Sequence, residues 1–219
     1  MPPVLLQIRV CQNPDCGLRY PLLDSSTFGK RCPACLGETK LITQQPLPRD
    51  QGSENDPFPV NSGLSVLLDN IRSALNVGSI FRSAVGFGFD HIYLCGITPT
   101  PERPEVRKSA LGAEQFIPWS AHTNGVELIG MLKGRGYGIW ALERTLNSIP
   151  IHSAISTRAR LNNLVLVVGN EVTGIDPGIL EVADHLVYLP MRGQKRSFNV
   201  AVAFALAAQT IQSRVVSNI

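Results

Sequence analysis

The sequence predicts an α/β protein: a mostly parallel sheet with helices on both faces, preceded by a small metal-binding appendage. Three observations carry this reading. Short runs rich in Val, Ile and Leu recur from residue 63 onward without alternating with polar residues, as strands covered on both faces require. Stretches of helical character separate these runs, which is the pattern of a sheet built from strand–helix–strand units. Four of the five cysteines lie within the first 35 residues, in two pairs.

The first pair is Cys11 and Cys16, and the second is Cys32-Pro33-Ala34-Cys35. Two thiolate pairs at this separation suit a tetrahedral four-cysteine zinc site, each pair carried on a short turn. Gly17, Pro33 and Gly37 beside the pairs fit knuckle-like turns. A segment of about 40 residues rarely builds a sufficient core, so a metal is expected to hold this one together. Residues 1–43 therefore read as a zinc-ribbon-like module. Residues 44–62, with four prolines among polar and acidic residues, read as a linker, which leaves residues 63–219 as the larger domain. There "LSVLLD" reads as a strand and "NVGSIFRSAVGFG" as a helix capped by Asn76 and ended by glycine. "HIYLCG" is a strand, "IGMLKGRG" the end of a helix, and "YGIWAL", "NLVLVVG" and "HLVYLP" are further strands. Residues 197–215 form the last helix. "TPTPERPEVRKSALGAE" reads as a loop, and Cys95 as a buried small hydrophobe.

Composition excludes several classes. With 44% hydrophobic and 17% charged residues, the chain is globular and not disordered. No apolar run approaches the ~20 residues of a membrane-spanning helix, so no membrane partner is expected. "MPPVLLQIRV" lacks the charged start and apolar core of an export signal, so the expectation is a cytoplasmic location, where thiols stay reduced. The net charge of +3 is uneven: six Lys and Arg balance six Asp and Glu through Val60, against fourteen and eleven beyond it.

Ligands of parallel sheets sit outside the carboxyl ends of the strands, so the stretches following the strands are the candidates for chemistry. After the first comes "DNIRSALNVGSIFRSA", where Asn70, Asn76 and Gly78 cluster at a strand-to-helix turn and Arg82 follows among core-like neighbours. After "NLVLVV" comes Gly169-Asn170-Glu171-Val172-Thr173-Gly174-Ile175. The third stretch is "LPMRGQKRSFNVAVAFALAA", residues 189–208. Its basic turn precedes a helix but lacks the GxxxxGK[ST] spacing of a phosphate-binding loop, and no strand is followed by a dinucleotide GxGxxG.

In order and spacing, "NIRSALNVGSIFRSAVGFG", "VVGNEVTGI" and "LPMRGQKRSFNVAVAFALAA" resemble the three motifs of the SpoU (TrmH-like) RNA ribose 2′-O-methyltransferases of the SPOUT superfamily. The resemblance covers residues 64 to about 214. It implies a C-terminal trefoil knot, S-adenosylmethionine bound by the knot's loops, a homodimer that completes the active site, and tRNA or rRNA as substrate. By motif, the methyl donor would rest against Leu142, Gly169, Leu189, Met191 and Phe198. Arg82 would be the main catalytic residue, with Asn76, Glu171, Ser197 and Asn199 shaping the site. Two roles stand open for Arg82: general base, or a cation clamping the phosphate beside the target ribose. The second avoids a neutral guanidinium, which is costly.

Arg192, Lys195 and Arg196 flank the implied donor site, and Arg103, Arg107 and Lys108 lie elsewhere. Each group is either an RNA phosphate contact or solvated surface charge. The zinc module either extends the RNA-binding surface or serves structure or protein docking. Departures from the family pattern are Val172-Thr173 where Gly-Glu or Glu-Gly is frequent, Phe198 where leucine is common, and "SALGAE" for "SAGA". The competing functions are a non-catalytic RNA-binding protein that kept the knot, and a base-methylating relative.

Overall fold

The computed structural model describes residues 4–26, 30–46, 62–156, 163–194 and 197–216, and the chain divides into two compact units, Met1–Asp56 and Pro57–Ile219. The first unit is an antiparallel sheet of β1 (Leu5–Cys11), β2 (Arg19–Leu23) and β3 (Thr39–Pro46) in the order β2-β1-β3. Sequence reasoning found the cysteine turns and missed the sheet. The strand β3 is exposed at seven of its eight positions, so it carries no hydrophobic period. It also runs to Pro46, three residues past the boundary expected at residue 43, and pairs Gln44, Gln45 and Pro46 with Gln7, Leu6 and Leu5. Most of the expected linker, residues 47–61, lies outside the described residues. Among the described residues of this unit only Cys11 and Cys32 are buried, which is too little apolar burial to stabilise a fold by itself.

The second unit is built on a seven-stranded sheet in which every described ladder is parallel. In chain order its elements are β4 (Leu64–Asp69), α1 (Ala74–Gly86), β5 (His91–Cys95), α2 (Pro104–Ala110), β6 (Trp119–His122), α3 (Gly125–Gly134), β7 (Gly138–Leu142) and β8 (Ile149–Pro150), followed by α4 (Ile151–Ser156), β9 (Leu164–Gly169), α5 (Pro177–Val182), β10 (His185–Tyr188) and α6 (Val200–Val216). The strands lie in the order β6-β5-β4-β9-β7-β10-β8. Residues 64, 66 and 68 of β4 and 164, 166 and 168 of β9 face one layer, formed with Ile80 and Phe81 of α1, Val106 of α2, Ala154 of α4 and Phe204 of α6. Leu67, Val165 and Val167 face the other, with Leu128 and Ile129 of α3 and Ile179 of α5. Two covered faces explain why these strands are rich in Val and Leu without alternating with exposed polar residues. Each fully buried Leu, Ile or Phe contributes about 1.5–3 kcal/mol over its exposed state.

Three local readings differ from the structure. The stretch expected as a loop after β5 contains α2, which starts at Pro104, whose fixed φ suits a first helical position. Seven residues are too few to show a period. The cap of α1 is Ser73, whose hydroxyl accepts the Asn76 N–H at 3.3 Å. Asn76 sits in the first turn, leaving its amide free for other partners. The last helix starts at Val200, and Asn199 accepts the N–H groups of Ala201 and Val202 at 3.0 and 3.4 Å. The short β6, β8, α4 and α5 were also unread. Among the described residues no helix is long and apolar enough to cross a membrane.

Helix α1 packs on α2 through Gly78, where an added Cβ would lie 2.6 Å from both the Ala110 nitrogen and the Val106 carbonyl oxygen. Backbone cannot yield as a side chain can. Gly78→Ala should therefore destabilise the protein by about 1–3 kcal/mol, against the roughly 1 kcal/mol that alanine contributes in an open helix. Urea unfolding checks this, and an unchanged or raised midpoint would refute the close approach.

Candidate functional site

The carboxyl ends of β7, β9 and β10 and the start of α6 surround a cavity of about 520 Å³, a size suited to a small ligand. Leu142 and Glu143 enter it from β7, Val168 and Gly169 from β9, Tyr188 and Leu189 from β10, and Ser197 to Val200 from the approach to α6. The location follows from the topology, because loops after parallel strands converge at this edge.

A chain of polar side chains ties the cavity to α1. The Glu171 carboxylate accepts the Arg72 and Ser73 N–H groups at 3.2 and 3.4 Å, and the Asn76 amide N–H at 2.8 Å. The Asn76 carbonyl oxygen in turn accepts the Asn199 amide at 3.0 Å. Asn199 spends its own oxygen on the first N–H groups of α6. A carboxylate at the N-terminus of one helix and an amide cap on another are thus linked through one asparagine, each helix end being a site that favours an acceptor. Partial burial alone would raise the Glu171 carboxyl. Its backbone bond, the Asn76 amide and the Arg72 and Ser73 N–H groups outweigh that and hold it below the ordinary range.

Behind this chain the strand ends are locked together. Asp69, buried at the end of β4, accepts the Asp176 N–H and the Asn70 amide, each at 2.8 Å. Burial pushes its carboxyl up, with the negative Asp176 nearby adding to the effect. Asn170 donates to the Asn70 carbonyl at 2.7 Å and accepts from Val172 and Thr173, closing the 170–174 turn. Gly169 is required by this turn: a Cβ there would meet the Ile175 nitrogen at 2.4 Å. The approach that excludes a side chain is that of the protein's own loop, on a glycine that also borders the cavity.

The five residues expected to hold a donor, Leu142, Gly169, Leu189, Met191 and Phe198, all line this one cavity. So do Glu171, Ser197 and Asn199, while Asn76 reaches it through Glu171 and Asn199. Arg82 stands apart: it is exposed on α1, on the outward face with Leu75 and Ser79, and does not line the cavity. Arg192 is exposed in the loop before α6, whereas Lys195 and Arg196 lie outside the described residues. Arg107 donates to the Pro101 and Glu102 carbonyls at 2.7 and 2.9 Å, so part of its guanidinium staples its own loop. Lys108 and Arg103 are exposed. Sequence reasoning did not single out Asp69, Glu143, Arg144 or Tyr188. An acid closing an otherwise apolar strand was the one legible signal, at Asp69. The others depend on which strand ends are neighbours.

In the first unit the sulfur atoms of Cys11, Cys16, Cys32 and Cys35 all lie within 4.8 Å of one another. Cys11 and Cys35 are 3.4 Å apart and Cys16 and Cys32 3.6 Å. A tetrahedral ion with metal–sulfur bonds of about 2.3 Å sets its sulfurs roughly 3.8 Å apart, so the four residues fit zinc in number, chemistry and spacing. Two tight turns present them, closed by the Cys16 N–H on the Asn13 carbonyl and the Leu36 N–H on the Cys32 carbonyl.

Known proteins share the larger unit. The chain is 30% identical over 141 residues to the 23S rRNA (guanosine(2553)-2′-O)-methyltransferase of Bacillus subtilis, covering 64% of this chain and 54% of that protein. It is 27% identical over 143 residues to the tRNA (guanosine(18)-2′-O)-methyltransferase of Escherichia coli, covering 65% and 60%. The chain therefore spans less than two thirds of the length of either. Among solved structures, the TrmH/SpoU tRNA modifying enzyme of A. aeolicus superposes with a TM-score of 0.64 at 26% identity, covering 72% of this chain and 78% of that one. The AdoMet-bound rRNA methyltransferase of Sinorhizobium meliloti gives 0.63 at 25%, covering 68% and 56%. Residues 63–209, all three motifs included, match the model of one family, and the chain belongs to it: the SpoU rRNA Methylase family.

Proposed function

We propose that this protein transfers a methyl group from S-adenosylmethionine to a ribose 2′-hydroxyl of tRNA or rRNA. The observation that carries the reading is the cavity at the sheet's carboxyl edge, which gathers all five residues expected for the donor and is bordered by the Glu171–Asn76–Asn199 chain. S-adenosylmethionine supplies an electrophilic methyl when bound, so the protein's task is to orient the acceptor and manage its proton. Leu142, Leu189, Met191 and Phe198 offer apolar walls for an adenine. Glu171 acts as a fixed anion: a carboxylate committed to three donors and held below its ordinary range is a poor proton acceptor. Its ionised form makes the clamp, which is complete above the ordinary glutamate range and lost as pH falls through the lowered value.

Arg82, exposed and without a hydrogen-bond or ion-pair partner among the described residues, would take an RNA phosphate. Leu75 of α1 and Val202 and Leu206 of α6 are exposed apolar side chains. We read this apolar face as the contact of a homodimer that brings Arg82 to a partner's cavity. The same reading includes the trefoil knot implied by the family motifs and a cytoplasmic setting, where RNA and reduced thiols coexist. Cys11, Cys16, Cys32 and Cys35 would hold one structural zinc ion, whose cross-link substitutes for the missing core of the first unit.

Four outcomes test these assignments. Labelled donor incubated with total RNA should mark RNA at linkages that then resist alkali, because a 2′-O-methyl group blocks cleavage. Arg82→Ala should lower transfer at least about 100-fold with donor affinity within a few-fold; no transfer by the unchanged chain to any RNA would sink the enzyme reading. Glu171→Gln should cost about tenfold in transfer by weakening charge-assisted bonds, and full activity would remove its role. Elemental analysis should find one zinc per chain, lost in the Cys32→Ser, Cys35→Ser variant together with proteolytic resistance of the first unit; a zinc-free unchanged chain would overturn the metal assignment.

A further inference from the structure

Arg144 differs from the other residues lining the cavity by its charge. Glu143 and Glu171 contribute two carboxylates, and Arg144 is the one cationic lining residue among those described. Its guanidinium carbon lies 5.3 Å from the centroid of the Tyr188 ring. The sheet sets this pairing, since β7 and β10 are neighbours with Val187 opposite Leu142, so the residues just beyond them fall side by side. Glu143 is engaged elsewhere: its carboxylate accepts the Ile175 N–H at 3.3 Å and lies against Gly174. Among the described residues Arg144 has neither an ion-pair nor a hydrogen-bond partner.

An aromatic face steadies a guanidinium without using its N–H groups, so the fork stays available to a planar anion. The donor of the proposed reaction carries a sulfonium, an ammonium and one carboxylate. Two acids and one arginine on the wall mirror two cations and one anion on the ligand. We propose that Arg144, seated on Tyr188, receives the carboxylate of the methyl donor's amino-acid arm as a bidentate pair. This rests on the reading of the cavity as the donor site. It assigns Arg144 the orientation of the arm that sets where the sulfonium points, a binding role separate from the phosphate contact given to Arg82.

The test compares two ligands on the full chain by calorimetry: S-adenosylhomocysteine, which keeps the carboxylate, and 5′-methylthioadenosine, which lacks the amino-acid arm. Arg144→Gln should weaken S-adenosylhomocysteine about 10- to 100-fold and leave 5′-methylthioadenosine within about twofold. Tyr188→Leu, which removes the ring face but keeps an apolar side chain, should weaken S-adenosylhomocysteine selectively by about threefold. Equal loss for both ligands, or none for either, would overturn the assignment. So would a loss confined to RNA affinity, which would give Arg144 to a phosphate instead. If the unchanged chain bound neither ligand, the donor reading itself would fall, and this assignment with it.

Discussion

The negative charge of Glu171 at the start of α1 is the interaction on which the site depends. The N–H groups of Arg72 and Ser73, at the entry to the helix, require acceptors, and here they meet a carboxylate from a loop about a hundred residues further along the chain. Once Glu171 is drawn there, the orientation of Asn76 follows, because its N–H groups turn to the carboxylate and its oxygen must face away. Asn199 then has one way to present its amide and one to cap α6. Three stretches distant in sequence are held in register by donors and acceptors that admit a single arrangement. A half-satisfied network of this kind would cost more than none, so the chain is conformationally specific as well as stabilising.

Much of this architecture was legible in the sequence, for reasons that differ by element. The strands β4 and β9 are buried almost throughout because helices cover both their faces, and runs rich in Val and Leu announce that. The cysteine pairs were legible because coordination chemistry fixes their spacing. The strand β3 was not, since a sheet without a second layer imposes no hydrophobic period. Helix α2 hid behind three prolines that resemble loop composition, although Pro104 is where a helix tolerates one. Asn76 read as a cap because asparagines favour that position, yet Ser73 holds it and so frees Asn76 for Glu171.

Within the site, residues carried by contiguous motifs could be named from the sequence, and residues defined by adjacency could not. Arg144 and Tyr188 lie 44 positions apart and meet only because β7 and β10 pair. Asp69 and Asp176 meet because α5 starts beneath the end of β4, and two like charges at that distance are tolerated since one oxygen of Asp69 accepts the other residue's backbone N–H. Arg82 is the converse case, a residue that the motif singles out and that lies away from the cavity within one chain.

The pairing of β4 with β9 joins Leu64 to Leu164 and sets Asp69 beside Gly169. It therefore also sets a timetable. A ribosome adding about 5–20 residues per second delivers the second neighbour of β4 some 5–20 seconds after β4 itself. Until then one edge of β4 and much of both core layers stand open, and no ligand can be held, because walls of its cavity belong to β9 and β10, which are not yet made. Parallel pairings of such separation are intrinsically slow to close, so the nascent chain is exposed to aggregation for longest through the very contact that creates the site.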